Sequence, residues 1–527
     1  MSFLKEFFFD TFRQHGLDTE NEPFIKALEI ALYSDKSLFL TGRAGTGKTT
    51  FLHTYRRLNI HKNVVVVAPT GVAAINAKGR TIHSFFRIDP RQLFLPGDPR
   101  LEPYSKGKKE SIFSTFRLTD SRLSVVRNMD TLVIDEVSMV RVELMDVIDR
   151  ILRVYRKKLH LPFGGVQLIM IGDVFQLPPV VKNPEWDLLK SFYGSRFFFS
   201  SISFQQLHPL SIELTKIYRQ KDLIFKDLLN RIRESRHTLS DLEVLNETSN
   251  RYHFDLLDEG YILLGTHNTT IQEINTRKLL ELEADEVSYK AEIKGDYPVS
   301  MAPFEPIDLS FKVGAQVIFL RNNTERRFYN GMIGKVVRLD TDSILVENDK
   351  GELFEVQREV WENVEYTYSE ESQRVESEVV GSFVQFPLKL AWAITVHKSQ
   401  GLTFDRCIVD IGKSFEAGQV YVALSRCTSL EGLVLKSPIS FQSIKVSSDS
   451  LGFQADQSHE EEIEQELEST RAKVAVRHAF RLFLRGDYQQ ANRFFREAQR
   501  VEDFTRYPKW QQFMAVRDWI EERNTRW

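Results

Sequence analysis

Short apolar runs ending in small or polar residues, each followed by a stretch of helical spacing, recur over about 25–210 and again over 211–441. Leu38–Leu40, Val64–Val67, Leu132–Ile134 and Gln167–Ile171 are the clearest runs. Short runs without apolar–polar alternation suit strands buried on both faces, and their alternation with helices predicts two parallel α/β units. The period changes over 295–381, where KVGAQVIFLRNN, YNGMIGKVVRLD, SILVEN and ELFEVQREVWENVEY alternate in the β manner. Asn330-Gly331 and Lys350-Gly351 are turn signals there, so a small β-barrel-like insertion in the second unit is expected. Arg87 to about Ser121 interrupts the first unit with Pro96, Gly97, Pro99 and the basic loop Lys106-Gly107-Lys108-Lys109, a small insertion or a solvated loop.

The pattern ends after Pro438. Residues 442–470 are polar, and 456–468 hold seven acidic residues with no Lys or Arg, so a linker or a solvated helix is expected. Residues 471–527 hold 13 Lys/Arg against 7 Asp/Glu. Within them Ala479–Ala498 resembles one tetratricopeptide unit, with a Gly486-Asp487 turn and Ala491, Phe495 and Ala498 at helical spacing. Such a hairpin docks on the α/β units, binds a partner protein or adds a basic DNA contact. The need to bury Phe480, Phe483 and Phe494 favours docking.

At 527 residues the chain has room for about three or four domains. Hydrophobic residues make up 42% and charged residues 27%, as in proteins with real cores. Lys and Arg number 70 against 73 Asp and Glu, so any grip on nucleic acid comes from a local basic channel. Two cysteines, Cys407 and Cys427, exclude a disulfide framework and point to a reducing cytosol or nucleus. Glu6 and Asp10 break the apolar N-terminus and no apolar run is long enough to span a bilayer, so neither secretion nor a membrane is expected.

The chemistry starts at SLFLTGRAGTGKTT, residues 37–50. Strand, glycine-rich turn and helix surround the pattern G-x-x-x-x-G-K-[ST], so Gly42, Ala44, Gly45, Thr46, Gly47, Lys48, Thr49 and Thr50 form a candidate ATP phosphate loop. Glycines let backbone amides curl around phosphate oxygens and the helix N-terminus adds its positive end. Lys48 neutralises β- and γ-phosphates, and the Thr49 hydroxyl ligates Mg²⁺. Asp135 and Glu136 end the strand of TLVIDEVSMV, placing one carboxylate on the Mg²⁺ shell and the other beside the attacking water. Gln176, in QLIMIGDVFQLPPV, can sense a γ-phosphate by hydrogen bonding. Arg219 and Arg426 each follow an apolar-rich segment and are candidates for clamping phosphoryl charge, worth about 10³–10⁵ in rate for a finger.

The ordered set GRAGTGKTT, APTGVAAINAKGRTIHSFF, VIDEVSM, FGGVQLIMIGDVFQLPPV, LTKIYRQ, LAWAITVHKSQGLTFD and YVALSRCTS resembles the Pif1 family of superfamily 1 DNA helicases over about 20–440. The RecD group shares several of these motifs, and the FGG at 163–165 and the intact YNGMIGKV favour Pif1. The resemblance implies two RecA-like domains, 1–210 (with N-terminal helices and a wedge at about 87–121) and 211–294 plus 382–441. It also implies an SH3-like β domain at 295–381, and an ATP-driven motor moving 5′→3′ on single-stranded DNA and unwinding duplex, G-quadruplex or R-loop structures. By the same resemblance Gln400 and Gly401 link the nucleotide to the DNA. One departure stands out: where the family carries an adenine-reading glutamine, LDTENEPF offers Asn21.

Candidate DNA contacts are small hydroxyls, rings and cations at strand ends: Thr70, Gly71, His83, Ser84 and Phe85 in the first unit, Thr395, His397, Lys398 and Ser399 in the second, and Arg321 in the insertion. Single-stranded DNA and single-strand–duplex junctions are the expected partners, bound by a monomer in a bacterial nucleoid or in a nuclear or mitochondrial compartment. A non-motor P-loop ATPase acting as a switch or scaffold is the rival from another class. It leaves unexplained a second unit with its own arginine and HKSQG.

Overall fold

A computed structural model describes residues 3–102, 111, 113, 118–218, 222–303, 306–321, 328–411, 417–455, 460–504, 510–511 and 514–515. The basic loop Lys106–Lys109 lies outside them. The first sheet is built of β1 (Leu38–Gly42), β2 (Val64–Ala68), β3 (Arg80–Thr81), β4 (Thr131–Ile134), β5 (Gln167–Ile171) and β6 (Leu210–Leu214). All neighbours run parallel, in the order β3-β2-β4-β5-β1-β6. Every residue of β1, β4 and β5 is buried, which is why these runs do not alternate. Because β4, β5 and β1 are adjacent, the loops leaving their carboxyl ends open side by side, the usual ligand crevice of such sheets. β6 pairs with β1 from Leu38↔Leu210 to Gly42↔Leu214, so the first lobe runs past the boundary expected at 210/211. The far edge of β1 needs a hydrogen-bonding partner, and β6 supplies it.

The second lobe carries four parallel strands in the order Ala393–Thr395, Ile262–Gly265, Cys407–Asp410 and Leu433–Leu435. Inserted into it is a five-stranded antiparallel sheet whose last strand, Leu388–Leu390, lies beyond the expected end at 381. Strands Glu359–Ser369 and Arg374–Gln385 leave that sheet as a long hairpin that crosses to the first lobe. There the Tyr366 hydroxyl accepts from the Val66 amide at 3.2 Å, and Glu365 pairs with Arg122 at 2.6 Å and with Arg80 at 3.6 Å.

Of the two readings of 442–470, a linker or a solvated helix, the linker is corrected and helix is found, with one face packed rather than fully solvated. Residues Ser448–Ala455 are helical, and Phe453 stacks on Phe199 of the first lobe with ring centroids 4.2 Å apart. A single helix then runs from Glu460 to Leu484. Its acidic start is held because Glu460 and Glu464 pair with Lys26, while Ile463 and Leu467, four residues apart, bury one face in the first-lobe core. At Gly486, in the left-handed region, the chain turns into helix Tyr488–Gln499, and the two helices pack on helix Phe3–Gln14 through Phe494 against Phe3 and Phe7. The basic hairpin is therefore docked. Its deepest polar contact is Arg471, bonded to both oxygens of Glu29 at 2.6 and 2.9 Å, both side chains buried. Arg471→Leu, which leaves Glu29 alone in the core, is expected to lower stability by about 3–5 kcal/mol. The double variant Arg471→Leu/Glu29→Leu should recover most of that loss, as read by chemical unfolding of the single and double variants.

Candidate active site at the seam between the lobes

The phosphate loop is shaped by its glycines. Gly42 has φ +155°, and a Cβ there would lie 2.8 Å from the Leu214 carbonyl oxygen, so the loop can leave β1 only as glycine. Gly47, at φ 95°, caps helix Lys48–Leu58, whose N-terminal amides open toward the loop. The Lys48 ammonium folds onto the loop, donating to the Gly42 carbonyl at 2.5 Å and the Arg43 carbonyl at 3.1 Å. The Thr46 hydroxyl donates to Arg43 at 2.9 Å, while Thr49 and Thr50 stand exposed on the first turn.

Beside the loop, β4 ends in Asp135 and Glu136. The Asp135 amide continues the sheet by donating to Val67, and Glu136 sits at φ 50°, ψ 43°, a left-handed conformation costly for a side chain with a Cβ. Burial, then the adjoining Glu136 charge, push the Asp135 carboxyl up to about 7, against the pull of Lys48. Burial also raises Glu136, with Lys48 and Arg426 opposing it and Asp173 adding to it. Three carboxylates thus share one crevice.

The loop after β5 forms the seam itself. The Gln176 side-chain amide donates to Asp173 at 3.3 Å, and the other Asp173 oxygen lies 3.2 Å from Arg233 of the second lobe. A Cβ on Gly418 would come within 2.3 Å of the Gln176 carbonyl oxygen, so the second lobe meets this loop backbone to backbone. From the second lobe the Tyr421 hydroxyl accepts from the Ala44 amide at 3.3 Å, and Glu234 pairs with Arg43 at 2.9 Å. Burial, then the Asp173 charge, push the Tyr421 hydroxyl up to about 12. Arg426 is buried, and its guanidinium donates to Val422 at 3.0 Å and to Ser399 and Leu402 at 3.4 Å. Those bonds hold the loop carrying Gln400 and Gly401 against a cation that also feels Glu136 and Asp173. Arg219 lies outside the described residues. Its predecessor Tyr218 donates its amide to the Gly45 carbonyl at 2.9 Å. The Tyr218 hydroxyl accepts from the Asn21 side chain at 3.1 Å, leaving Asn21 Oδ1 a buried acceptor without a hydrogen-bond partner.

The family description "PIF1-like helicase" matches residues 17–242. The ATP-dependent DNA helicase Pif1 of Bdellovibrio bacteriovorus is 32% identical over 417 residues, 78% of this chain and 86% of that protein. The chain belongs to the PIF1-like helicases. The crystal structure of Bacteroides sp Pif1 with ADP-AlF4 is similar at 39% identity and TM-score 0.74, covering 82% of this chain and 96% of that one. Bacteroides Pif1 bound to ssDNA is similar at 40% identity with TM-score 0.55, covering 80% and 93%.

The polar and aromatic residues expected to touch DNA separate into two groups in this PIF1-like helicase. Phe85 is corrected: it is a core residue, edge-on to Phe86 and Tyr366, and presents no open face for a base. Ser399 is also buried, with its hydroxyl bonded to the Val396 carbonyl at 2.7 Å. Thr395 is buried and accepts from the Lys398 amide, and the Ser84 hydroxyl accepts from Arg80 at 2.9 Å. Thr70 caps helix Gly71–Asn76 by accepting from Ala73. His83 is half-buried, and burial with the nearby Arg141 charge lowers its pKa. Lys398 stands exposed, His397 is half-buried, and Arg321 lies over the Trp361 ring beside Glu359. Sequence reasoning missed Tyr218, Tyr421, Gly418 and Arg233; the glycine opening GQVYVALSR was the one visible hint of the close approach.

A carboxyl whose folded pKa is raised destabilises the fold as pH climbs from its unfolded value near 3.8 to its folded value near 7. In metal-free protein Asp135→Asn should therefore raise the melting temperature most above pH 7. The gain should shrink as pH falls toward 4, as thermal melts across pH in EDTA would show.

Proposed function

We propose that the chain is an ATP-dependent DNA helicase that moves 5′→3′ along single-stranded DNA and opens the duplex ahead of it. The observation that carries this reading is convergence at the seam: Arg426, Arg233 and Tyr421 of one lobe face the carboxylates and phosphate loop of the other. Relatives named as ATP-dependent DNA helicases, and a Bacteroides Pif1 bound to ssDNA, support it.

In this cycle ATP enters between the lobes, and Lys48 leaves the loop carbonyls for the β- and γ-phosphates. Amides of the loop and of the following helix take the phosphate oxygens. Asn21 Oδ1 accepts from the base amine while the Tyr218 ring packs beside it. Thr49 and Asp135 would hold a magnesium ion, because among the described residues Lys48 is the one cation that opposes the raised proton affinity of Asp135. Mg²⁺ supplies neutralising charge to the phosphates when bound. Glu136, whose raised proton affinity suits a base working near neutrality, accepts the proton of the attacking water. Arg219 and Arg426 balance charge on the transferring phosphoryl, and Gln176 senses its presence. Lobe closure over ATP and reopening after hydrolysis move one DNA-holding surface past the other. Thr70, Gly71 and His83 line one such surface, His397, Lys398 and Arg321 the other. Both halves of the seam come from one chain, so a monomer suffices. Forks, R-loops and G-quadruplexes, in a nucleoid or a nuclear or mitochondrial compartment, lie within its range.

Glu136→Gln should keep ATP and single-stranded DNA binding while turnover drops about 10²–10⁴-fold; wild-type turnover would remove Glu136 from that role. Lys48→Ala should lose nucleotide binding and unwinding together. Strand displacement from duplexes with a 5′ tail, and none from those with a 3′ tail, is the expected polarity result; the reverse preference overturns it.

A further inference from the structure

Helix Leu223–Arg233 belongs to the second lobe, since Phe225, Leu228, Leu229 and Ile232 are buried in that core. Its last residue points the other way. Arg233 leaves the second-lobe core and ends among first-lobe groups: Asp173 at 3.2 Å, Glu213 of β6 at 3.3 Å, and the Phe175 ring with its centroid 4.4 Å from the guanidinium carbon. Both Arg233 and Asp173 are sealed from solvent. The following residue, Glu234, holds Arg43 of the phosphate loop. At the opposite end Asp222 caps the helix, and its second oxygen accepts from the Leu430 amide in the loop beyond Arg426. One rigid helix with its two flanking residues therefore touches the phosphate loop, the Asp173–Gln176 loop and the segment following Arg426, and it begins four residues after Arg219.

The Arg233 contacts are incomplete in a telling way. Its buried Nε makes no hydrogen bond, and its buried Nη1 meets Glu213 only as an ion pair at 3.3 Å, without hydrogen-bond geometry. An arginine kept only for stability gains most when its planar fork is fully bonded, and buried donors left unmade are costly. Unmade donors facing a carboxylate across a lobe boundary suit a group with a second arrangement, reached when the lobes shift. Asp173 is the shared partner, for it accepts from the Gln176 side chain with one oxygen and faces Arg233 with the other.

We propose that Arg233 is a positioning residue of the ATP cycle. Through Asp173 it carries the state of Gln176 to helix 223–233 and so to the second lobe, letting DNA accelerate hydrolysis and letting hydrolysis drive unwinding. This assignment rests on the helicase reading given above. It is tested on the full chain with Arg233→Lys and Arg233→Gln. Both are assayed for ATP turnover with and without an oligothymidine strand, for ATP KM, for base pairs opened per ATP and for melting temperature. Arg233→Lys keeps the cation but loses the fork and the ring stack, so it decides the matter if Arg233→Gln does not fold. The expected result is a fall of at least tenfold in the DNA-stimulated over basal turnover ratio and in base pairs opened per ATP, with ATP KM changed less than threefold. Asp173→Asn should cause the same loss and add little in the double variant, since both act through one contact. A purely structural arginine would lower the melting temperature and scale basal and stimulated turnover together, leaving their ratio at the wild-type value; that outcome overturns the assignment. If wild-type protein itself shows no stimulation by DNA, the helicase reading falls and this assignment falls with it, whereas wild-type stimulation retained in Arg233→Lys refutes the assignment alone.

Discussion

Asp135, Glu136 and Asp173 gather at the carboxyl edge of one buried sheet, and no single lobe supplies the positive charge to balance them. Lys48 comes from the first lobe; Arg426 and Arg233 come from the second. Carboxylates crowded in a poorly solvated crevice bind protons unless cations approach, and burial with mutual repulsion lifts Asp135 to about 7. The molecule thus has an electrostatic reason to bring its lobes together at this place. A triphosphate adds further negative charge at the same point, which makes the separation of the lobes sensitive to what the crevice holds.

The joint through which this sensitivity passes is short. Within a few residues Asp173 meets Arg233, Phe175 lies under the same guanidinium, the Gln176 carbonyl abuts Gly418, and Leu177 enters the second-lobe core. Packed contacts of this kind have few intermediate arrangements, so a small change at Gln176 becomes a shift of a whole helix.

Around that joint the first lobe is braced from both ends of the chain. The helix Phe3–Gln14, the C-terminal hairpin and helix Ser448–Ala455 cover it with aromatic contacts and the Arg471–Glu29 pair. The hairpin 359–385 reaches over from the second lobe to place Tyr366 among first-lobe core residues. One lobe is therefore a fixed platform, tied on several sides. The other meets it at the Asp173 seam, through that hairpin, and where helix Gly71–Asn76 lies against Val299–Met301 with Ile75 on the second-lobe core, and motion has to work against these contacts.

The sequence by itself determined the two parallel sheets, because strands buried on both faces must be written as continuous apolar runs, and Leu38–Leu40 or Gln167–Ile171 admit little else. It also determined the phosphate loop and the Asp135–Glu136 pair, whose residue types and spacing are dictated by local backbone and phosphate chemistry. Tertiary structure alone decided which aromatic residues lie in the core, burying Phe85 while leaving Tyr218 against the phosphate loop, since burial depends on neighbours hundreds of residues away. It turned an apparent acidic linker into a packed helix, because the charges that satisfy Glu460 and Glu464 sit on Lys26. And it alone revealed Arg233, one arginine among many in the chain, whose meaning comes from Asp173 sixty residues away and from the seam that brings the two together.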